Sequence, residues 1–188
     1  MKKVFPIFLL FMILSCGSDD NNTPVVIPET YQERVTAVLK QSPESNPLED
    51  SSLFFSNLSY GSAERNTYDI LLPEDGKPIG VVVFFHGGSF LFNDKSDAYE
   101  APYESFIKIL LIRNVAVVNV NYSYLNSPNS EGVITSLSDG TLLLNHIRSI
   151  ASSINIDTNK IILGGASSGA GIALWNGLQA EHNTGVLG

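Results

Sequence analysis

The sequence predicts an α/β fold in which a mostly parallel sheet is flanked by helices. Three short apolar runs, at residues 79–85, 115–120 and 161–163, have the composition of strands buried on both faces of a parallel sheet. Between these runs, apolar residues recur at helical spacing. Buried strands that alternate with amphipathic helices are typical of parallel sheets with right-handed crossovers.

The composition fits one globular domain and disfavours several kinds of partner. At 188 residues the chain is long enough to bury a core. Its net charge of −8 and pI near 4.7 argue against nucleic acid or an anionic membrane surface as an electrostatic partner. A single cysteine allows no internal disulfide, and no Cys/His cluster suggests a metal site. We therefore expect no nucleic acid, metal or cofactor.

Residues 1–15 are predicted to form a lipoprotein signal peptide. The basic start Met1-Lys2-Lys3 precedes an apolar run over residues 4–14 that is too short to span a bilayer core of roughly 30 Å. Ile13-Leu14-Ser15-Cys16 resembles a bacterial lipobox, in which Cys16 is lipidated and becomes the mature N-terminus. We expect export and anchoring to a bacterial membrane. The segment Ser18-Asp19-Asp20 resembles the surface-export tag of some Gram-negative lipoproteins, which favours the outer membrane and the cell surface. The alternative is a general signal peptide with an incidental cysteine.

Residues 16–50 are predicted to be a flexible tether, and residues 51–188 the folded domain. The first segment is rich in Asn, Asp, Ser, Thr and Pro. Within it, residues 31–40 have the spacing of a short helix. Residues 66–73 read as a strand, which ends at the turn residues 74–78.

Three helices follow from the spacing of apolar residues in the rest of the domain. One helix follows the strand at 79–85, a long helix follows the strand at 115–120, and a last helix begins soon after residue 167. The residues that indicate them are Tyr103, Phe106, Ile107, Leu110 and Leu111; Ile134, Leu137, Leu144, Ile147, Ala151 and Ile154; and Ile172, Ala173 and Leu174.

The turn after the strand at 161–163 has two interpretations. Gly165-x-Ser167-x-Gly169 has the pattern of the nucleophile elbow of a serine hydrolase. Residues 165–171 also resemble the nucleotide-binding turn of short-chain dehydrogenases. That NAD(P)-binding alternative needs a following strand with an acidic residue about 20 positions on, and Glu181 does not lie at the end of a predicted strand.

A second motif favours the hydrolase interpretation. Acyl transfer requires N–H donors that stabilise the oxyanion of a tetrahedral intermediate. His86-Gly87-Gly88-Ser89-Phe90 follows a predicted buried strand, where such enzymes place a glycine loop that supplies these donors. The two motifs, in this order and context, favour acyl transfer.

From about Tyr60 to Leu178 the chain resembles the carboxylesterase and lipase branch that has a His-Gly-Gly oxyanion motif and is related to hormone-sensitive lipase. The resemblance is strongest to bacterial feruloyl esterase-like and acetyl esterase-like enzymes. It implies an α/β-hydrolase fold, with Ser167 as nucleophile and the backbone N–H groups of Gly87, Gly88 and Ser168 as the oxyanion hole. The segments that carry it are residues 68–73, 86–90 with 94–95, 121–122 and 156–161.

Other candidate residues are assigned lesser roles. Ser168 is the competing hydroxyl, but it lacks the flanking glycines of Ser167. The resemblance implies that His86 orients its loop, and Ser89 stands where many relatives have a third glycine. We expect His146 and His182 to be surface residues. The carboxylates expected to be ordinary loop or helix-start groups are Asp94, Asp97 and Asp139.

Neither a catalytic acid nor a catalytic histidine is assigned. In this fold the acid and the histidine follow the serine, and only Glu181 and His182 do so here. We therefore expect an incomplete carboxylic ester hydrolase, truncated after the elbow helix, that acts on a small-molecule or polysaccharide-linked ester. The alternative is a non-catalytic surface lipoprotein that uses the truncated fold as a binding module.

Overall fold

A computed structural model describes residues 29–182, which form one five-stranded sheet with helices on both faces. The predicted signal peptide, the lipidation site Cys16 and the first part of the tether lie outside the described residues. The strands are β1 (Leu53–Ser59), β2 (Thr67–Leu72), β3 (Gly80–Phe85), β4 (Val115–Val120) and β5 (Ile161–Gly165). The α-helices are α1 (Tyr31–Leu39), α2 (Glu104–Ile112), α3 (Val133–Ile150) and α4 (Ser168–His182), and Lys95–Tyr99 and Ala151–Ile154 form 3₁₀ turns.

The sheet has the strand order β1-β2-β4-β3-β5. Strand β3 pairs in parallel with β4 and β5, whereas β1 and β2 add as an antiparallel hairpin beside β4. Phe85 lies opposite both Val120 and Gly165, so three parallel strands end at the same level. The predicted mostly parallel α/β sheet is confirmed.

Two cores cover the two faces of the sheet. The larger core joins strand residues such as Ile70 and Val83 to α3, α4 and α1. The smaller core joins Leu71 and Val117 to Ile107 and Leu111 of α2. Neighbouring residues of one strand enter opposite cores because side chains alternate across a sheet. Burial on both faces explains the continuous apolar runs of β3 and β4.

Residues 161–163 form a strand, as predicted, but the prediction that both faces of this strand are buried is wrong. In β5 the Ile162 side chain is 64% exposed. The strand pairs with β3 on one side, and no strand among residues 29–182 pairs with its other edge. Beside it, an open groove of about 600 Å³ runs along α4 and is lined largely by apolar residues such as Leu163 and Leu178.

The predicted boundary between tether and domain at residue 51 is also wrong. Helix α1 packs on the larger core through Val35, which is fully buried. The Tyr31 hydroxyl donates to the carbonyl of Ile154 at 3.1 Å, and Leu48 belongs to the smaller core. The domain therefore begins before residue 51, because the apolar face of α1 packs on the larger core.

No helix between residues 29 and 182 combines the length and the apolar character that crossing a membrane requires.

Candidate active site

The ends of three parallel strands bring the predicted site residues together. His86 and Gly87 follow β3, Tyr122 lies two residues after β4, and Ser167 lies two residues after β5. The carboxyl edge of an open parallel sheet is where such folds place their ligands. Because the strand ends are in register, residues far apart in the sequence become neighbours here.

Ser167 occupies a strained turn between β5 and α4. Its φ of 49° lies in the left-handed region, and its side chain is exposed. The flanking glycines are required by close packing. A Cβ on Gly165 would lie 2.5 Å from the backbone carbon of Gly169, and one on Gly169 would collide with the carbonyl oxygens of Phe85 and His86. This geometry is that of a nucleophile elbow, in which the hydroxyl stands clear of the sheet.

Ser168 is placed differently from its neighbour. Its side chain is buried, with Oγ 3.2 Å from the hydroxyl of Tyr122. Its backbone N–H belongs to the first turn of α4, where the helix offers no acceptor and the helix dipole favours negative charge. The start of α4 therefore contributes two groups to the candidate site, the hydroxyl of Ser167 and the backbone N–H of Ser168.

The glycine loop after β3 lies directly against the elbow. A Cβ on Gly87 would stand 3.2 Å from the carbonyl oxygen of Ala166 and 3.6 Å from Cβ of Ser167. Gly88 has a φ of 110°, and a Cβ there would collide with the carbonyl oxygen of Phe92. Within residues 29–182, no backbone carbonyl accepts from the N–H of Gly87 or Gly88. The loop thus places Gly87 against the elbow and contains two backbone N–H groups, those of Gly87 and Gly88, that no backbone carbonyl among residues 29–182 accepts from.

The backbone conformation at position 89 explains why many relatives have glycine there. Ser89 and Phe90 have φ values of 53° and 60°, so both lie in the left-handed region. A serine there adopts this conformation at some cost in strain. The departure from the third glycine is therefore compatible with the loop geometry.

His86 is built into the support of this loop. It is 2% exposed and its ring stacks on Tyr122, with centroids 4.4 Å apart. Its Nδ1 lies 2.6 Å from the carbonyl oxygen of Gly87, and its Nε2 lies 3.3 Å from a guanidinium nitrogen of Arg65. Burial lowers the pKa of His86, and the Arg65 charge acts in the same direction. A buried, neutral ring held in this way supports the loop and does not hydrogen-bond to Ser167.

The other histidines lie away from Ser167. His146 is half-buried in α3, where its Nε2 lies 3.0 Å from the hydroxyl of Tyr68, so the predicted surface position is only partly right. Burial lowers the pKa of His146. His182 ends α4, and a helix of that length places it roughly 20 Å from the elbow.

The carboxylates considered from the sequence have structural roles. Asp94 and Asp97 form a capping box on the 3₁₀ turn at Lys95–Tyr99. Asp139 is buried in α3 and accepts the backbone N–H of Ser123 at 2.7 Å. None of the three forms a hydrogen bond to Ser167.

Two residues to which no role was assigned prove to be central, although residues 121–122 are among the segments that carry the family resemblance. The buried hydroxyl of Tyr122 donates to the carbonyl oxygen of His86 at 2.9 Å and reaches Ser168. Arg65, in the turn between β1 and β2, contacts His86 and Asn93, which flank the glycine loop. Aromatic character after a predicted strand could have suggested Tyr122, but no local pattern marks Arg65.

The described part of the chain contains no group of three His, Cys, Asp or Glu residues arranged to hold a metal ion.

Comparison with known proteins identifies relatives among esterases. The BD-FAE family profile matches residues 68–185. Among curated proteins, no relative matches the chain. Among solved structures, the chain is similar to a bifunctional GH43-CE protein of Bacteroides eggerthii, at 27% identity and a TM-score of 0.55, with 64% of this chain and 16% of that chain covered.

Two further structures share the fold. A truncated form of a carbohydrate esterase from gut microbiota is 22% identical, with a TM-score of 0.54 and coverage of 70% of this chain and 45% of that chain. Native esterase 2 of the planctomycete Thermogutta terrifontis is 17% identical, with a TM-score of 0.52 and coverage of 65% and 42%. The latter esterase has also been solved phosphorylated by paraoxon.

The match spans less than half the length of each of these structures. The family profile, in contrast, covers more than half of this chain and includes both the glycine loop and the elbow. The chain therefore belongs to the BD-FAE family of α/β-hydrolase-like proteins.

Proposed function

We propose that this chain carries the nucleophile and the oxyanion hole of a serine carboxylesterase. The observation that carries the proposal is the exposed Ser167 at a φ of 49°, against which the loop of Gly87 and Gly88 packs. A strained serine beside available N–H donors is the arrangement that acyl transfer needs.

The proposed reaction proceeds in two steps. Ser167 Oγ attacks the ester carbonyl while a general base takes its proton, and the oxyanion accepts hydrogen bonds from the N–H groups of Gly87, Gly88 and Ser168. Collapse of the intermediate expels the alcohol, which takes the proton from the base, and leaves an acyl-enzyme. Water then attacks the acyl group, which releases the carboxylic acid and restores the hydroxyl of Ser167. We place the base and its carboxylate partner outside residues 29–182, since the related structures are more than twice as long as the matched region.

The substrate class we propose is an ester carried by a carbohydrate, such as an acetyl or feruloyl group. Support comes from two similar structures, those of a carbohydrate esterase and of a bifunctional GH43-CE protein. The sequence pattern around Cys16 supports export and lipid anchoring at the outer membrane, which would place the enzyme near extracellular polysaccharide.

Steady-state kinetics on the protein expressed from its complete gene tests this function. Suitable substrates are p-nitrophenyl acetate, acetylated xylan and methyl ferulate. We expect Ser167→Ala to lower kcat by about 10⁴-fold or more, because the residual rate would come from binding and the oxyanion hole alone. The matched control is Ser168→Ala, which keeps the backbone N–H and should retain activity within about tenfold. An active Ser167→Ala variant, or a wild-type protein inert on all three esters, would contradict the proposal.

Lipid anchoring has its own test. Metabolic labelling with palmitate should mark the wild-type protein, and Cys16→Ser should abolish the label and release the protein from the membrane fraction. Persistence of the label in Cys16→Ser would contradict a lipid anchor at this cysteine.

A further inference from the structure

Arg65 connects three segments that surround the glycine loop. It lies in the turn between β1 and β2, and its side chain is mostly buried. Its Nε donates to the carbonyl oxygen of Tyr122 at 2.9 Å, and a terminal nitrogen donates to that of Asn93 at 3.3 Å. Its guanidinium also lies over the ring of Tyr124, 3.7 Å from the centroid, and 3.8 Å from a carboxylate oxygen of Asp94. One planar group with several donors thus spans the loops after β3 and β4.

The contact with His86 determines which ring nitrogen carries the proton. A guanidinium can only donate, so Nε2 of His86 must accept from Arg65 at 3.3 Å. A neutral imidazole has one N–H, which must then be at Nδ1. That N–H donates to the carbonyl oxygen of Gly87 at 2.6 Å. Both contacts therefore require the same tautomer.

The Gly87 carbonyl shares a peptide plane with one of the proposed oxyanion donors. In a trans peptide the carbonyl of Gly87 and the N–H of Gly88 point in opposite directions. Holding the carbonyl oxygen with Nδ1–H of His86, and with the hydroxyl of Tyr122 at 3.3 Å, fixes the direction of the Gly88 N–H. The orientation of this donor depends on the His86 tautomer.

We propose that Arg65 is a positioning residue of the oxyanion hole, which holds His86 as the Nδ1–H tautomer and thereby orients the Gly87–Gly88 peptide. The proposal rests on the esterase function proposed above. In this proposal, a residue in the turn between β1 and β2, outside the two sequence motifs, aligns the loop that stabilises the transition state.

The tautomer can be observed without any enzymatic reaction. In ¹⁵N-labelled wild-type protein, long-range ¹H–¹⁵N spectra should show His86 with a protonated Nδ1 and an unprotonated Nε2. In Arg65→Met only the Gly87 carbonyl still favours the Nδ1–H form, so we expect a measurable fraction of the Nε2–H tautomer to appear. A wild-type His86 protonated at Nε2 would overturn the proposal.

A pH titration in the same spectra separates this role from simple packing. The charged groups that act on His86 are Arg65, Asp94 and Asp97. Removal of the cation leaves the two carboxylates, so the pKa of His86 should rise in Arg65→Met. An unchanged His86 pKa and tautomer in that variant would overturn the proposal.

Kinetics supply the functional readout, and Arg34 offers a matched control. Arg34 also donates to a backbone carbonyl, that of Ser153 at 3.1 Å, and lies over the ring of Tyr31. We expect Arg65→Met to lower kcat by about 10- to 100-fold with KM changed less than about threefold, since the donors remain but lose their alignment. Arg34→Met should leave both constants near wild type.

The conservative variant distinguishes charge from geometry. Lysine at position 65 keeps the charge but cannot donate along several fixed directions at once. Arg65→Lys should therefore lower kcat as Arg65→Met does. If Arg65→Met does not fold, Arg65→Lys takes its place in the comparison with the wild type. A wild-type kcat in either variant would overturn the proposal. An inert wild-type protein would instead contradict the esterase function, and the spectra would then decide whether Arg65 sets the state of His86.

Discussion

The hydroxyl of Tyr122 lies 3.2 Å from Oγ of Ser168, so the segment after β4 is joined to the first turn of the elbow helix. The same hydroxyl donates to the carbonyl oxygen of His86 at 2.9 Å. Burial raises the pKa of the Tyr122 phenol, so the group remains a donor at all ordinary pH values. One buried phenol thus holds the glycine loop and the elbow at a fixed separation.

Loss of this hydroxyl should destabilise the fold. Tyr122→Phe leaves buried acceptors without their donor, and we expect the free energy of unfolding to fall by about 1–3 kcal/mol. Urea denaturation measures the change. The control is Tyr103→Phe, a half-buried tyrosine outside this network, which should change stability by less than about 0.5 kcal/mol. Equal effects of the two substitutions would contradict the role given to Tyr122.

Breaking the buried ion pair between Lys95 and Asp69 should destabilise the fold. Nζ of Lys95 lies 3.2 Å from Asp69, whose other oxygen accepts from the hydroxyl of Tyr99 at 2.9 Å. Lys95→Met leaves the Asp69 carboxylate buried without its cation, so we expect a loss of about 3–5 kcal/mol in urea denaturation.

The exposed pair of Lys160 and Asp157, 3.4 Å apart, is the control for that ion pair. Lys160→Met should cost less than about 1 kcal/mol, because water screens both charges. Comparable losses for Lys95→Met and Lys160→Met would show that Asp69 is not held by its partner.

The glycine after the elbow should not tolerate a methyl group. Gly169→Ala would drive a Cβ into the carbonyl oxygens of Phe85 and His86, so β3 and α4 would have to separate. We expect a loss of about 2 kcal/mol or more of unfolding free energy, together with loss of ester hydrolysis. Gly177→Ala, in open space on the same helix, should instead add up to about 1 kcal/mol. A stable, active Gly169→Ala variant would contradict the packing of the elbow.

Stability should fall as the pH falls below about 6.5. Burial lowers the pKa of both His86 and His146 in the native state from their usual 6.5. Between the native and unfolded pKa values the unfolded chain binds more protons, so protonation favours unfolding. Each histidine can contribute at most about 1.4 kcal/mol per pH unit.

Urea denaturation at pH 7.5 and pH 5.5 measures this dependence. His146→Gln should reduce the decline without abolishing it, since His86 remains buried. Stability that increases toward pH 5.5 would contradict a neutral His86 in the native state.

Burial explains which elements the sequence could predict. Strand β4, at Val115–Val120, has the predicted bounds because both faces are buried and its run is continuous. Strand β1 was not predicted as an element. Its pattern is interrupted by a bulge between Phe55 and Leu58 and by the exposed Asn57. The exposure of Ile162 depends on which strands lie beside β5, and a local apolar run carries no such information.

The site divides in the same way. Ser167 and the glycines around it follow a fixed local spacing, because one turn must satisfy close backbone contacts. The contacts of Arg65 join loops that are 28 and 57 residues away in the sequence, so no local pattern predicts them. Long-range contacts that support a local motif can be identified only when the fold is known.

The most direct test of Ser167 as nucleophile is mass spectrometry after reaction with an organophosphate. The protein from its complete gene would be treated with paraoxon, digested and mapped. We expect one diethylphosphoryl group, located on Ser167, and none in Ser167→Ala, while Ser168→Ala should still be modified. A phosphoryl group on Ser168, or labelling that persists in Ser167→Ala, would contradict the assignment.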